Sequence, residues 1–310
     1  MRLRKNGNPN LKNSPGFHDK PEMKNWLLAA RPKTLPVAIS PVILGCALAY
    51  HDGFFYFFIC AMTLLAAVLI QIGANFANDV YDFQKGSDRE DRLGPTRATQ
   101  SGLISPEKMK KAMWQMFALA ICVGFYLAFI GGWPIVIIGL TSIAAGIAYT
   151  GGPYPLGYHC FGDVFVFIFF GLIAVPGTYY LQILEVSELS LWMGVAMGML
   201  STAILVVNNL RDLDTDKLSG KRTLAVRLGK EFSKIQYSIL IILPFLLPLY
   251  VWLNLENELS LLITILALPI SIHLIKQIFF LAGSDLNLVL ERTARFMFIF
   301  TLLLSAGLII

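Results

Sequence analysis

The chain has 310 residues, 56% of them hydrophobic and only 15% charged, whereas a soluble globular domain carries about a quarter charged residues. That balance excludes an ordinary water-soluble enzyme, and apolar runs near the roughly 20 residues needed to cross a bilayer leave no stretch for a separate soluble domain. A net charge of +5 would suggest a nucleic-acid partner only if the basic residues formed one patch; their placement follows the membrane instead, and no nucleic acid is expected.

The first 25 residues are polar and lack the apolar core of a signal peptide. They read as a disordered cytoplasmic tail, with 26–310 as a single transmembrane domain. Hydropathy then predicts nine helices, at about 35–51, 54–77, 112–130, 133–150, 160–181, 190–207, 235–253, 259–281 and 293–310. Pro36 and Pro41 interrupt the first, which a membrane helix tolerates when neighbours satisfy the freed carbonyls. Cys46, Cys60, Cys122 and Cys160 are well separated in apolar segments, without metal or redox spacing, and read as packing residues.

Lysine and arginine fall on one side of these spans. Eight precede the first span, seven lie between the second and third, seven between the sixth and seventh, and Lys276, Arg292 and Arg295 complete the 25. The connections on the other side hold none. By the positive-inside rule the N-terminus and the long loops 78–111 and 208–234 are cytoplasmic, and the C-terminus is external.

Acidic residues crowd two places on that face. Asp79, Asp82, Asp88, Glu90 and Asp91 follow the second span, and Asp212, Asp214 and Asp216 follow the sixth. If the helices continue, Asp79 and Asp82 share a face, with Asn75 and Asn78 on the same stripe, and Asp212 and Asp216 share another. Carboxylates so close repel and call for a cation, and oxygen-only donors point to magnesium or calcium. Lys85, Arg89, Arg92, Arg97, Arg211, Lys217, Lys221 and Arg222 are interleaved with them, so a phosphate fits beside a metal, and the apolar helices suit a hydrocarbon tail. The plainer reading is a pair of solvated loops whose charges set topology. His18, His51, His159 and His273 lie apart from both clusters. Gly-Lys-Arg-Thr at 220–223 lacks the first glycine of a phosphate loop.

These segments resemble the UbiA superfamily of membrane prenyltransferases. Asn-Asp-Val-Tyr-Asp (78–82) is similar to its first aspartate motif and 212–216 to its second. Arg-Pro-Lys-Thr-Leu-Pro (31–36), the run from Asn75 to Arg97, Tyr-Thr-Gly-Gly-Pro (149–153) and the run 208–229 are similar to the menaquinone branch, and the similarity covers about residue 26 to the end. Gly86 stands where many members have a third aspartate, so Asp88 is the next available acid.

The resemblance implies an all-α integral membrane protein with nine transmembrane helices around a central cavity. It implies transfer of a polyprenyl group from an allylic polyprenyl diphosphate to 1,4-dihydroxy-2-naphthoate, with loss of carbon dioxide and pyrophosphate, at a cell membrane. Asp79, Asp82, Asp212 and Asp216, with Asp88, would hold two Mg2+ ions in the family's manner, and Tyr149 and Asp163 would face them. Arg31, Asn75, Asn78, Lys85, Arg89, Arg92, Arg97, Asn208, Arg211 and Lys221 would bind substrate, with Arg31 or Arg97 orienting the naphthoate carboxylate. Another aromatic acceptor is the first alternative. A transporter is the second, although its midplane carboxylates are missing.

Overall fold

The computed structural model describes residues 22–88, 92–255 and 259–310. Regular structure in them is helical: α1 (Met23–Ala30), α2 (Pro36–His51), α3 (Phe57–Gln84), α4 (Pro106–Ala148), α5 (Gly162–Phe167), α6 (Ala174–Ile183), α7 (Glu188–Arg211), α8 (Leu213–Leu218), α9 (Leu224–Ile242), α10 (Leu246–Asn254), α11 (Leu268–Phe280) and α12 (Leu286–Ile309). A π-helical turn, Ile168–Ile173, joins α5 to α6 into one apolar stretch. Helix α1 starts inside the expected tail, and residues 1–21 lie outside the described residues.

Among the described residues seven helical stretches are long and apolar enough to cross a bilayer, or eight if the bent pair Met23–Thr34 and Pro36–His51 is one span. Helix α4, with 43 residues, would be about 65 Å long if straight, roughly twice the hydrocarbon thickness. It is broken at Gly132, whose φ of 66° and ψ of −156° are open to glycine and costly for other residues. A Cβ on Gly146 would stand 4.0 Å from the Phe117 ring, yet an unbroken helix would hold these positions about 43 Å apart. The two limbs therefore fold back on each other. Among the described residues length and composition give seven or eight crossings, against the nine expected; the break at Gly132 is where the 43-residue α4 stretch would divide in two.

Helix α7 is central. Of its apolar window 72% is buried, against 17% for α3 and α4, which present broad faces to lipid. Small residues permit this position. A Cβ on Gly171, in the π-helical turn, would lie 2.5 Å from the Gly194 carbonyl oxygen and 2.6 Å from the Gly198 Cα. Backbone thus packs on backbone, the contact that small residues allow in lipid.

Two boundaries differ from hydropathy in a way that positions the site. Helix α3 runs to Gln84 rather than about 77, carrying Asn75, Asn78, Asp79 and Asp82 on its last turns. Helix α7 runs to Arg211; the chain bends at Asp212, and α8 carries Asp216.

Candidate active site

A cavity of about 670 Å³ opens between α3, the α4 hairpin, the 165–178 region and α7. On α3 its wall extends from Asp82 to Thr63, about 28 Å of helix and nearly the whole hydrocarbon thickness. The depth is apolar, with Ala66, Ile70, Leu127, Ile138 and Phe169 among its walls. The mouth is lined by Arg31, Asn75, Asn78, Asp82, Asp88, Arg92, Arg97, Tyr149, Asn208, Asp212, Asp216 and Lys221. The sequence singles out all of these; Ser87, Thr150, Tyr158, Asn209 and Thr215, on the same wall, have no role assigned by it.

The two acidic motifs meet through shared cations. Lys221 Nζ stands 3.6 Å from Asp82 Oδ1 and 3.6 Å from Asp216 Oδ1. Arg92 reaches Asp88 at 3.4 Å and Asp212 at 3.7 Å, and Arg97 reaches Asp82 and Asp88, both at 3.3 Å. Arg211 donates Nε to Asp212 Oδ1 at 2.8 Å and is itself held by Asn208 and Asn287.

Buried charge governs the proton affinities. Burial, with the charge of Asp82, pushes Asp88 up to about 7, against the pull of Arg92. Burial raises Asp216 to about 6, with Asp212 and Asp82 adding to it and Lys221 opposing. Burial also works against the Asp212 carboxylate, but the Arg211 hydrogen bonds and the charges of Arg211, Arg92 and Lys221 outweigh it and hold it below the usual range. Lys221 is held above its ordinary value because Asp82, Asp216 and Asp88 overcome its desolvation.

Four expected site residues are not on the cavity wall. Asp79 turns away and accepts the backbone N–H groups of Ala98 and Thr99 at 3.1 and 2.9 Å. Asp163, expected to face the metals, accepts instead from Gln236 on α9 at 2.7 Å; α5 packs against α7, and α7 packs against α9. Lys85 donates to the Thr150 and Gly152 carbonyls at 2.6 and 3.2 Å, holding the glycine turn rather than the cavity. Arg211 is spent on Asp212 and the two asparagines. Arg89 lies outside the described residues.

Sequence reasoning missed Tyr158. Its hydroxyl donates to Asp82 Oδ1 at 2.7 Å and pairs with Ser87 at 2.6 Å. Lys85 and Lys221 sit 5.1 and 4.8 Å from its ring centroid. The segment 151–159 reads only as a short connection, and its sole signal is a tyrosine beside glycine and proline. Thr150, within Tyr-Thr-Gly-Gly-Pro (149–153), donates to Asn78 Oδ1 at 2.9 Å.

Among the described residues no three acidic, histidine or cysteine side chains are gathered closely enough to grip one ion; each cavity carboxylate is paired with a cation. The donor set nevertheless fits a hard divalent ion together with an anion. Asp88 Oδ2 is buried without a partner, and so are Arg31 Nη2 and Arg97 Nη1. Carboxylates with raised proton affinity and guanidinium nitrogens without acceptors, side by side, suit a metal-bound phosphate group.

An apolar shaft with acid and base interleaved at its mouth, in a polytopic membrane fold, suits a phosphorylated lipid. Residues 38–307 match the UbiA prenyltransferase family, and the chain belongs to it. A 1,4-dihydroxy-2-naphthoate octaprenyltransferase of Haemophilus influenzae is 35% identical over 93% of this chain and 97% of its own length. The protein of that name from Mycobacterium tuberculosis is 41% identical over 72% of this chain and 78% of its own. In fold, a UbiA homologue from Archaeoglobus fulgidus bound to GPP and Mg2+ matches with a TM-score of 0.64 at 18% identity, over 92% of this chain and 99% of that one. The apo UbiA homologue from Aeropyrum pernix matches with 0.66 at 13%, over 88% and 96%.

Proposed function

We infer that this protein transfers a polyprenyl group from an allylic polyprenyl diphosphate to 1,4-dihydroxy-2-naphthoate, releasing pyrophosphate and carbon dioxide and yielding demethylmenaquinol. The observation that carries the reading is the meeting of Asp82 and Asp216, from motifs more than 130 residues apart, on one lysine at the mouth of an apolar shaft. The relatives named above supply the acceptor.

In this reading Asp82 and Asp88, with Asp212 and Asp216, would hold two magnesium ions. Bound magnesium supplies positive charge that offsets the diphosphate. Arg92, Arg97 and Lys221 lie beside those carboxylates and take the oxygens whose charge grows as the allylic carbon–oxygen bond breaks. Tyr158 keeps Asp82 and Lys221 in register. The apolar shaft, with Tyr149 and Phe169 on its wall, holds the tail and excludes water from the allylic cation. Arg31, with Nη2 unpaired on the wall, receives the naphthoate carboxylate. The ring carbon bearing that carboxylate forms the new bond, and the electron pair of the breaking carbon–carboxylate bond restores aromaticity. No base has to remove a ring proton.

Topology follows the charge: N-terminus cytoplasmic, C-terminus external, in the cell membrane. The test is purified protein in detergent with magnesium, a labelled polyprenyl diphosphate and 1,4-dihydroxy-2-naphthoate, scoring prenylated naphthol and carbon dioxide. Product lost on chelation and in Asp82→Ala and Asp216→Ala is expected. Turnover with hydroxybenzoate but not the naphthoate would overturn the acceptor; silence with every aromatic acceptor would overturn the reaction.

A further inference from the structure

Asp79 is the most buried carboxylate of the first motif, at 1% exposure, yet it is absent from the cavity wall that its neighbours Asn75, Asn78 and Asp82 form. Both of its oxygens are engaged by backbone. Ala98 N–H donates to Oδ2 and Thr99 N–H to Oδ1.

Those amides begin a compact turn. Leu103 and Ile104 N–H both return to the Ala98 carbonyl, at 3.0 and 3.1 Å, and the Ser101 hydroxyl donates to the Arg97 carbonyl at 2.6 Å. Ala98, Thr99 and Ile104 are fully buried. Arg97 is the residue next to the anchored amides, and it leaves the turn to reach Asp82 and Asp88 while keeping Nη1 without a protein partner. Helix α3 therefore holds the 97–104 turn by one carboxylate and meets Arg97 again with another, one turn further along.

We propose that Asp79 is a positioning residue: it suspends the 97–104 turn from α3 and so fixes where the Arg97 guanidinium meets the diphosphate, and it holds no metal. The part concerning diphosphate rests on the function proposed above. A carboxylate presents two acceptors to two amides. An asparagine presents one acceptor and sets its own N–H groups against an N–H, and a glutamate carries its oxygens past both. A metal ligand behaves differently, since glutamate keeps the charge and the oxygens that an ion needs.

The experiment uses full-length protein in detergent. Hydrogen exchange over residues 97–104 is measured without magnesium for wild type, Asp79→Asn and Asp79→Glu. Magnesium half-saturation, kcat and diphosphate KM are measured for these and for Arg97→Ala and the Asp79→Asn/Arg97→Ala double variant. The expected result is at least tenfold faster exchange at Ala98 and Thr99 in both Asp79 variants, and a diphosphate KM raised about as much as by Arg97→Ala. The double variant is expected to be no worse than Arg97→Ala, with magnesium half-saturation moved less than twofold. Should Asp79→Asn not fold, Asp79→Glu carries the same expectations. Unchanged exchange, or magnesium half-saturation raised tenfold in Asp79→Asn and restored in Asp79→Glu, would overturn the proposal. If wild type shows no prenyl transfer, the proposed reaction fails on its own, and the exchange measurement still decides whether Asp79 holds the turn.

Discussion

Tyr158 shows how a single side chain organises the charges around it. Its hydroxyl holds an oxygen of Asp82 while Lys85 and Lys221 both stand over its ring, so it both orients a carboxylate and limits where Lys221 can stand. A hydrogen bond to a charged group contributes about 1.5–3 kcal/mol. Tyr158→Phe keeps the ring and loses that bond, and kcat/KM is expected to fall roughly 10- to 100-fold, as read by the labelled-diphosphate assay with the fold checked by circular dichroism. Asp163 differs in kind. Its partner is Gln236, and neither lies on the cavity wall. Asp163→Asn keeps an acceptor for that amide, so kcat and magnesium dependence are expected to stay within about threefold of wild type. A loss as large as that of Asp82→Ala would return Asp163 to the site.

The packing of elements depends on small residues at a few crossings. The π-helical turn meets α7 where Gly171 faces Gly194 and Gly198, with no room for a side chain. Gly171→Val must push backbone from backbone, and overpacking of this kind costs about 1–3 kcal/mol. A fall of several degrees in the thermal unfolding midpoint in detergent is expected, together with lower activity, because this stretch forms part of the cavity wall. Gly124 has open space around it, and Gly124→Ala, also on the cavity wall, is expected to leave the midpoint unchanged. The α4 break belongs to the same scale. Gly132 takes a positive φ, so Gly132→Val strains the hairpin turn while leaving each limb's hydropathy untouched.

At the scale of the whole molecule, charge and shape give the two faces different roles. Arg31, Arg92, Arg97 and Lys221 line the cavity mouth, the face that the positive-inside rule predicts to be cytoplasmic, and the cavity runs about 28 Å along α3 away from it. Cysteine reporters replacing Glu185 and Lys217 test this directly. In intact cells a membrane-impermeant maleimide is expected to label Glu185→Cys and to spare Lys217→Cys until the membrane is opened. The reverse result would invert the topology and put the proposed active site outside the cell.

Hydropathy alone made a polytopic membrane protein legible, since no soluble fold can hide so many apolar runs. Helical spacing and the repeated Asn-and-Asp clusters made the mouth of the site legible too: Asn78, Asp82, Asp212 and Asp216 lie where their spacing put them. Sequence could not separate Asp79 from Asp82, because both fit the polar stripe of one helix. Only the packing of the 97–104 turn against α3 decided that one faces backbone amides and the other the cavity. Likewise Lys85, Arg211 and Asp163 have the right chemistry and the right membrane face, but which way a side chain turns depends on its neighbours in space. Tyr158 was invisible for the converse reason, since its partners Asp82 and Ser87 lie more than 70 residues away in the chain. Composition and periodicity thus determined the solvent of this protein and the two acidic motifs that line its cavity mouth. The tertiary structure decided which charges meet, because burial makes each unpaired charge costly and only the folded packing supplies its partner.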